Sequence, residues 1–245
     1  MFAGLLAIWA QLASAGNIAV AVAANVQYAF EDLKTAFKQE TGHDLQPAYN
    51  SSGKFAAQIA NGAPFDVFLS ADMAFPEKLY RDGLSAAAPR VYAYGALVLW
   101  SMKALDLAQW QQSLSGPAVS RIAIANPKTA PYGSESLRLL QYFKLDAALQ
   151  AKLVFGESIA QTNQYIHTGA ADAGFTAKAA VLAPAMRGQG HWIDMPQAAY
   201  QPIAQGAVIL KYGQQHHPAV ARQFYDFIYS AKARAIFERY GYLLP

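Results

Sequence analysis

Cysteine is missing from all 245 residues. That excludes disulfides, a thiolate nucleophile and a cysteine-bound zinc centre, and no lipid anchor on an N-terminal cysteine is expected. Charge is sparse as well: Asp, Glu, Lys and Arg together make up 14%, and the formal net charge is +3. Basic residues neither run together nor alternate with aromatics, so nucleic acid is not expected as a partner. Long apolar runs are lacking. The one at residues 2–12 is shorter than the ~20 residues that span a bilayer. The phosphate-binding G-x-x-x-x-G-K-[ST], the dinucleotide-binding G-x-G-x-x-G and the G-x-S-x-G nucleophile elbow are all absent. His43, His167, His191, His216 and His217 have no metal-ligand spacing.

What is present is the composition of a globular chain, 54% hydrophobic. Residues 1–15 end in Ala13-Ser14-Ala15, a small-residue pattern of the kind signal peptidase cuts, although no Lys or Arg precedes the apolar stretch. These residues are expected to be the remnant of a signal peptide, with the mature chain exported; the plainer alternative is a buried N-terminal segment.

From residue 17 on, short apolar runs alternate with amphipathic stretches. Strands are expected at 17–23, 45–49 and 65–70. Each precedes a helix, the first carrying Phe30, Leu33 and Phe37 on one face and stopping near Gly42. A second series follows, with strands at 121–125, 152–155 and 172–175 and helices at 132–143, 159–168 and 178–183. One or two helices close the chain at 218–240. Alternation of this kind indicates α/β architecture with parallel strands. Two longer extended runs, 91–101 and 203–211, either cross between two lobes or are ordinary sheet strands. In the first case lobe one comprises 16–94 plus 206–245, lobe two comprises 95–205, and a cleft lies between them.

In open α/β sheets ligands sit beyond the carboxyl ends of the strands, at helix starts. Four such turns carry small, hydroxyl or amide residues: Ala24-Asn25, Asn50-Ser51-Ser52-Gly53, the 126–133 turn and Gly156-Glu157-Ser158-Ile159. Each alone is an ordinary helix cap. Together they offer unpaired N–H groups and about half a positive charge per helix to a dianion, without needing Lys or Arg.

Those turns carry a family resemblance. Ala23-Ala24-Asn25, Tyr49-Asn50-Ser51-Ser52-Gly53, the run 58–72, the N-P-K-T-A-P-Y-G of 126–133, Gly156 to Gln161 and the G-A-A-D-A-G-F of 169–175 occur in the order found in periplasmic molybdate-binding proteins of ABC transporters. The chain resembles that family from about residue 17 to its end. The resemblance implies a two-lobed type II periplasmic-binding-protein fold, α/β, with two mixed sheets flanked by helices and a double-crossover hinge. It implies capture of molybdate or tungstate for delivery to a membrane permease, by a periplasmic monomer that needs no cofactor and catalyses nothing. The metal would be held as an oxyanion, with no direct protein ligand. Asn25 and the Ala24 backbone would donate from the first turn, Ser52 with Ser51 from the second, the Tyr132 phenol or N–H from the third, and the Ile159 N–H from the fourth. One position departs from many relatives: Ala177 stands where a tyrosine often contacts the anion, and Tyr132 is expected to replace it.

Other readings remain. Sulfate and thiosulfate are also tetrahedral; phosphate carries a proton at neutral pH and suits a site with an acceptor carboxylate, of which Glu157 is the nearest. An enzyme on a related fold would need a catalytic cluster. The serines after Tyr132 have no predictable histidine near them, and Asp66, Asp72 and Asp172 are scattered. A ligand-sensing domain of a transcription regulator would need a helix-turn-helix, and no such segment is visible.

Overall fold

The computed structural model describes residues 16–245; the expected signal segment, 1–15, lies outside them. Among the described residues, ten strands form two five-stranded sheets. The first unit runs β1 (Asn17–Ala23), α1 (Gln27–Thr41), β2 (Asp44–Asn50), α2 (Ser52–Ala60), β3 (Val67–Leu69), α3 (Ala74–Arg81) and β4 (Arg90–Gly95). Then come β5 (Leu97–Ser101), α4 (Trp110–Ser115), β6 (Ile122–Ala125), α5 (Pro131–Tyr142), α6 (Asp146–Leu149), β7 (Leu153–Gly156), α7 (Ile159–His167), β8 (Ala173–Ala177), α8 (Lys178–Leu182) and β9 (His191–Asp194). β10 (Ile203–Ile209) and three helices, α9 (Lys211–His216), α10 (Pro218–Phe227) and α11 (Ala231–Arg239), complete the chain.

The sheet orders are β2-β1-β3-β10-β4 and β7-β6-β8-β5-β9. Each holds three parallel strands in the order second, first, third, then one antiparallel strand, then an edge strand that pairs antiparallel with it and runs in the direction of the first three. Pro47, which has no N–H to give a ladder, sits on the edge strand β2, where it is tolerated. The fold is thus the expected pair of mixed sheets flanked by helices. The extended run 91–101 does cross: it pairs in the first sheet up to Gly95 and in the second from Leu97 on.

The second expected crossing is corrected. Ile203, Ala204 and Gln205 already pair with Gly95, Tyr94 and Ala93 of the first sheet, and the rest of β10 stays there. The return passes through 195–202 instead, where the Met195 N–H still bonds Leu97 and Ile203 has joined β4. The sheets therefore divide before Ile203, not at 205/206. Apolar patterning reports that a segment is a buried strand, but not which sheet it joins. The last helices pack Phe224, Phe227, Ile236 and Phe237 onto α1's Phe30, Leu33 and Phe37 and close the first core. The second core gathers Leu97, Leu99, Trp110, Ile122, Ile124, Leu139, Leu140 and Phe175.

Candidate functional site

Helices α1, α2, α5 and α7 all start at one small cavity between the sheets. Its wall is Ala23, Ala24 and Asn25 after β1, Ser51 and Ser52 at the start of α2, Ala71 after β3, Ala130, Pro131 and Tyr132 at the start of α5, and Ile159 as the first residue of α7. All six residues singled out in the sequence are brought together there: Ala24, Asn25, Ser51, Ser52, Tyr132 and Ile159. The cavity is small, about 10 Å³, far below the roughly 300–1,000 Å³ of pockets for drug-sized molecules. Among the described residues, no Asp, Glu, Lys, Arg or His belongs to its wall.

Local sequence sets each helix start. Ser51 and Ser158 are extended, with φ/ψ of −71°/150° and −153°/171°, so the chain turns abruptly from strand into helix and leaves the first N–H groups facing outward. Ala130 is extended as the residue before a proline must be. Pro131 then occupies the first helical position, where its fixed φ suits the helix and its missing N–H costs nothing.

Among the described residues, the N–H groups of Asn25, Ser52, Tyr132 and Ile159 have no hydrogen-bond partner within the protein. The Ser51 hydroxyl is buried and also unpartnered. A buried polar group left in that state costs about 1–3 kcal/mol, which a ligand at this spot would recover. The Ser52 hydroxyl accepts the Ala71 N–H at 2.9 Å; a hydroxyl that accepts one bond still has its own proton to give.

Two expected donors are engaged elsewhere, and a third side chain is turned to a neighbour. The Ala24 N–H bonds the Asn50 carbonyl at 2.9 Å, continuing the β1–β2 ladder. Asn25 spends both side-chain amide protons internally, on Gln205 Oε1 at 2.9 Å and the Tyr242 hydroxyl at 3.2 Å. The Tyr132 phenol accepts from Gln205 Nε2 at 3.4 Å, and burial first, then neighbouring phenols, pushes its pKa far above the ordinary value, so it stays neutral. Asn25 and Tyr132 thus offer the cavity a backbone N–H each. Ala177 is fully buried opposite Leu97 and is not part of the wall.

The wall also includes Ala23, Ala71, Ala130 and Pro131, which sequence reasoning missed as wall residues. Gln205, one polar side chain in the apolar strand I-A-Q-G-A-V-I, was missed too; a buried amide there signals a specific partner.

The lobes meet around the cavity. Gly53 donates its N–H to the Thr129 carbonyl at 2.9 Å, and a Cβ on Gly53 would lie 2.9 Å from Thr129 Cα. Lys54 and Glu157 pair across the mouth at 2.6 Å, both partly exposed, which places Glu157 outside the wall. Asp66 and Asp172 hold corresponding places, each just before the third strand of its parallel triple. Asp66 accepts the Ala19 N–H at 2.7 Å; Asp172 accepts the N–H groups of Ser120 and Arg121 at 2.7 and 3.0 Å. They pin strands in separate lobes. No group of three or more His, Asp or Glu side chains placed to hold a metal occurs among the described residues.

Four helix N-termini, each with a partial positive charge, thus surround a wall whose free polar groups are donors. That arrangement suits a small, fully deprotonated anion.

Residues 18–243 match the family described as bacterial extracellular solute-binding protein. The chain is 42% identical over 241 residues to the molybdate-binding protein of Azotobacter vinelandii, covering 98% of this chain and 94% of that one. It is 37% identical over 232 residues to the molybdate-binding protein of Rhodobacter capsulatus, covering 94% and 90%. In three dimensions it is similar to the solved periplasmic molybdate-binding protein of Azotobacter vinelandii, with a TM-score of 0.87 at 38% identity, covering 93% of this chain and 99% of that one.

Proposed function

The chain belongs to the bacterial extracellular solute-binding protein family, and from that we propose that it captures molybdate or tungstate between its lobes, outside the cytoplasm, for delivery to the membrane permease of an ABC importer. The observation that carries this reading is the convergence of four helix starts on one small, donor-lined cavity with no charged side chain. Kinship with molybdate-binding proteins along nearly the whole chain supports the choice of anion.

Molybdate at neutral pH is a dianion that offers acceptors only. The N–H groups of Ser52, Asn25, Tyr132 and Ile159, with the hydroxyls of Ser51 and Ser52, supply complementary donors from both lobes. Each bond to a charged group contributes about 1.5–3 kcal/mol, so a few suffice for the roughly 8 kcal/mol of micromolar binding or better. The anion bridges the lobes and shifts the population toward the closed form by as much as it prefers that form. The closed shape is what a permease reads. Protonated phosphate would need an acceptor, and the wall provides no carboxylate. Sulfate has the right charge and shape, so its rejection rests on size. The protein acts as a monomer, needs no cofactor and performs no chemistry on its cargo.

Isothermal titration calorimetry of the full chain with molybdate, tungstate, sulfate and phosphate tests this. The expected result is one-to-one binding of molybdate and tungstate, at least about tenfold tighter than sulfate or phosphate, a gap of ~1.4 kcal/mol. Tight sulfate binding without molybdate binding overturns it.

A further inference from the structure

We propose that Gln205 is a positioning residue that ties the two lobes together beneath the anion cavity, so that the helix starts at Asn25 and Tyr132 aim at the same point; this rests on the molybdate reading above. Gln205 is outside the cavity wall and fully buried. It sits at the irregularity in the β10–β4 pairing, where the register shifts between Gln205 and Gly206. Bulges of this kind re-aim side chains.

Its amide serves both lobes. Oε1 accepts from Asn25 Nδ2 at 2.9 Å and from the Tyr92 hydroxyl at 2.8 Å, both in the first lobe. Nε2 donates to the Tyr132 hydroxyl, in the second lobe, at 3.4 Å. The approach is possible because the crossing residue is Gly95: a Cβ there would fall 2.0 Å from the Tyr132 hydroxyl and 2.7 Å from Gln205 Nε2. Tyr242 secures the other end, donating to the Asn25 carbonyl at 2.8 Å while accepting from Asn25 Nδ2.

Asn25 and Tyr132 each present a free N–H to the cavity from one lobe, and Gln205 bonds both their side chains. The network is neutral, so it orients the two helix starts without placing a charge beside a dianion. Closing the lobes completes the Gln205–Tyr132 bond, and holding the anion requires the same alignment. Capture and closure are then coupled through one amide.

The test is calorimetric titration of the full chain with molybdate, as wild type, Gln205→Met, Tyr132→Phe and the double variant. Gln205→Met keeps the length of the side chain and removes its hydrogen bonds. It is expected to weaken molybdate binding about 10–100-fold, with each tenfold worth ~1.4 kcal/mol. Adding Tyr132→Phe to it should cost no more than about twofold further, because residues in one network are not additive. A merely structural residue would give losses that multiply.

Gln205→Glu keeps the result readable if the methionine variant fails to fold. The titratable groups around this position are the phenols of Tyr92, Tyr132 and Tyr242, with Asp72 beyond Tyr92. In that variant affinity should fall as pH rises and the introduced carboxyl ionises beneath the anion, while the wild type stays flat over the same range. Wild-type affinity retained within about twofold in either variant, or multiplying losses in the double, overturns the inference. A wild type that does not bind molybdate overturns the functional reading and this inference with it.

Discussion

The two lobes repeat one plan and use different chemistry on it. Each has three parallel strands ordered second, first, third, an aspartate before the third strand, and two helices whose N-termini reach the shared cavity. Lobe one contributes hydroxyls as well as N–H groups, through Ser51 and Ser52. Lobe two contributes backbone N–H groups alone, at Tyr132 and Ile159, and its side chains at the cavity are for shape. If the proposed anion site is half made of backbone, that half should tolerate side-chain change and be sensitive to anything that moves or removes an N–H.

The largest expected effect separates the two serines of lobe one. Ser52→Ala removes an anion donor and strands the buried Ala71 N–H; about 1.5–3 kcal/mol of binding and a further ~1–3 kcal/mol of stability should be lost. Ser51→Ala should weaken molybdate binding too, yet leave the urea midpoint of the unliganded protein at or above that of wild type, because its buried hydroxyl has no partner in the protein. Equal destabilisation by both would mean that Ser51 is structural.

In lobe two the matching substitution acts on the backbone. Ile159 is the first residue of α7 and follows an extended serine, so Ile159→Pro fits the helix while deleting one N–H. Molybdate affinity should drop by about 1.5–3 kcal/mol with far-ultraviolet circular dichroism unchanged. Ile159→Val, which keeps the N–H, should bind within about threefold of wild type, well short of the tenfold that ~1.4 kcal/mol represents.

Gly53→Ala attacks the meeting of the lobes instead. The added methyl carbon would crowd the Thr129 backbone at 2.9 and 3.0 Å. Overpacking of this kind costs about 1–3 kcal/mol. Besides the tip of the Phe75 ring, 2.8 Å away within lobe one, the clash is with the backbone of the other lobe, so small-angle scattering with saturating molybdate should show a more open particle than wild type. An equally compact bound form would remove Gly53 from the account of closure.

The paired aspartates give an acid test of lobe two. Burial pushes the Asp172 carboxyl up, but Lys103 and the N–H and hydroxyl groups of Ser120 and Arg121's N–H together hold it well below the usual carboxylate range. A depressed folded-state pKa adds stability that is present above the ordinary carboxylate value, near 4, and is lost as pH falls below it. Asp172→Asn should lower the melting temperature at neutral pH and flatten its dependence on pH below about 4. An unchanged acid limb would show that this carboxylate does not govern it.

Smallest is the pair across the mouth. Lys54→Gln should weaken binding by only about 0.2–1 kcal/mol, since both partners are partly exposed, and the difference from wild type should vanish in high salt. A salt-independent loss would mean that Lys54 meets the anion itself.

Much of this was legible in the sequence, because strand periodicity and helix-start residues are local. The four turns could be placed beyond strand ends from pattern alone, and the first crossing followed from the length of 91–101. The resemblance named the cavity residues, and all six line one space. Two things were not legible. Which sheet a buried strand joins depends on distant partners, so pattern alone could not tell a crossing from an ordinary strand at 203–211, and the lobe boundary drawn from a crossing there is displaced because β10 stays within the first sheet. The direction of a side chain depends on its neighbours, so whether Tyr132 would offer its phenol or its N–H was left open, and the phenol and the Asn25 amide both face Gln205. A buried glutamine in an apolar strand was the available clue.

The central claim is that one anion is held by both lobes at once. Crystals of the full chain grown with molybdate, and diffraction measured at the molybdenum absorption edge, test it most directly. The account predicts a single anomalous peak enclosed by the N–H groups of Ser52, Asn25, Tyr132 and Ile159. A peak that contacts one lobe only, or one outside this cavity, would contradict it.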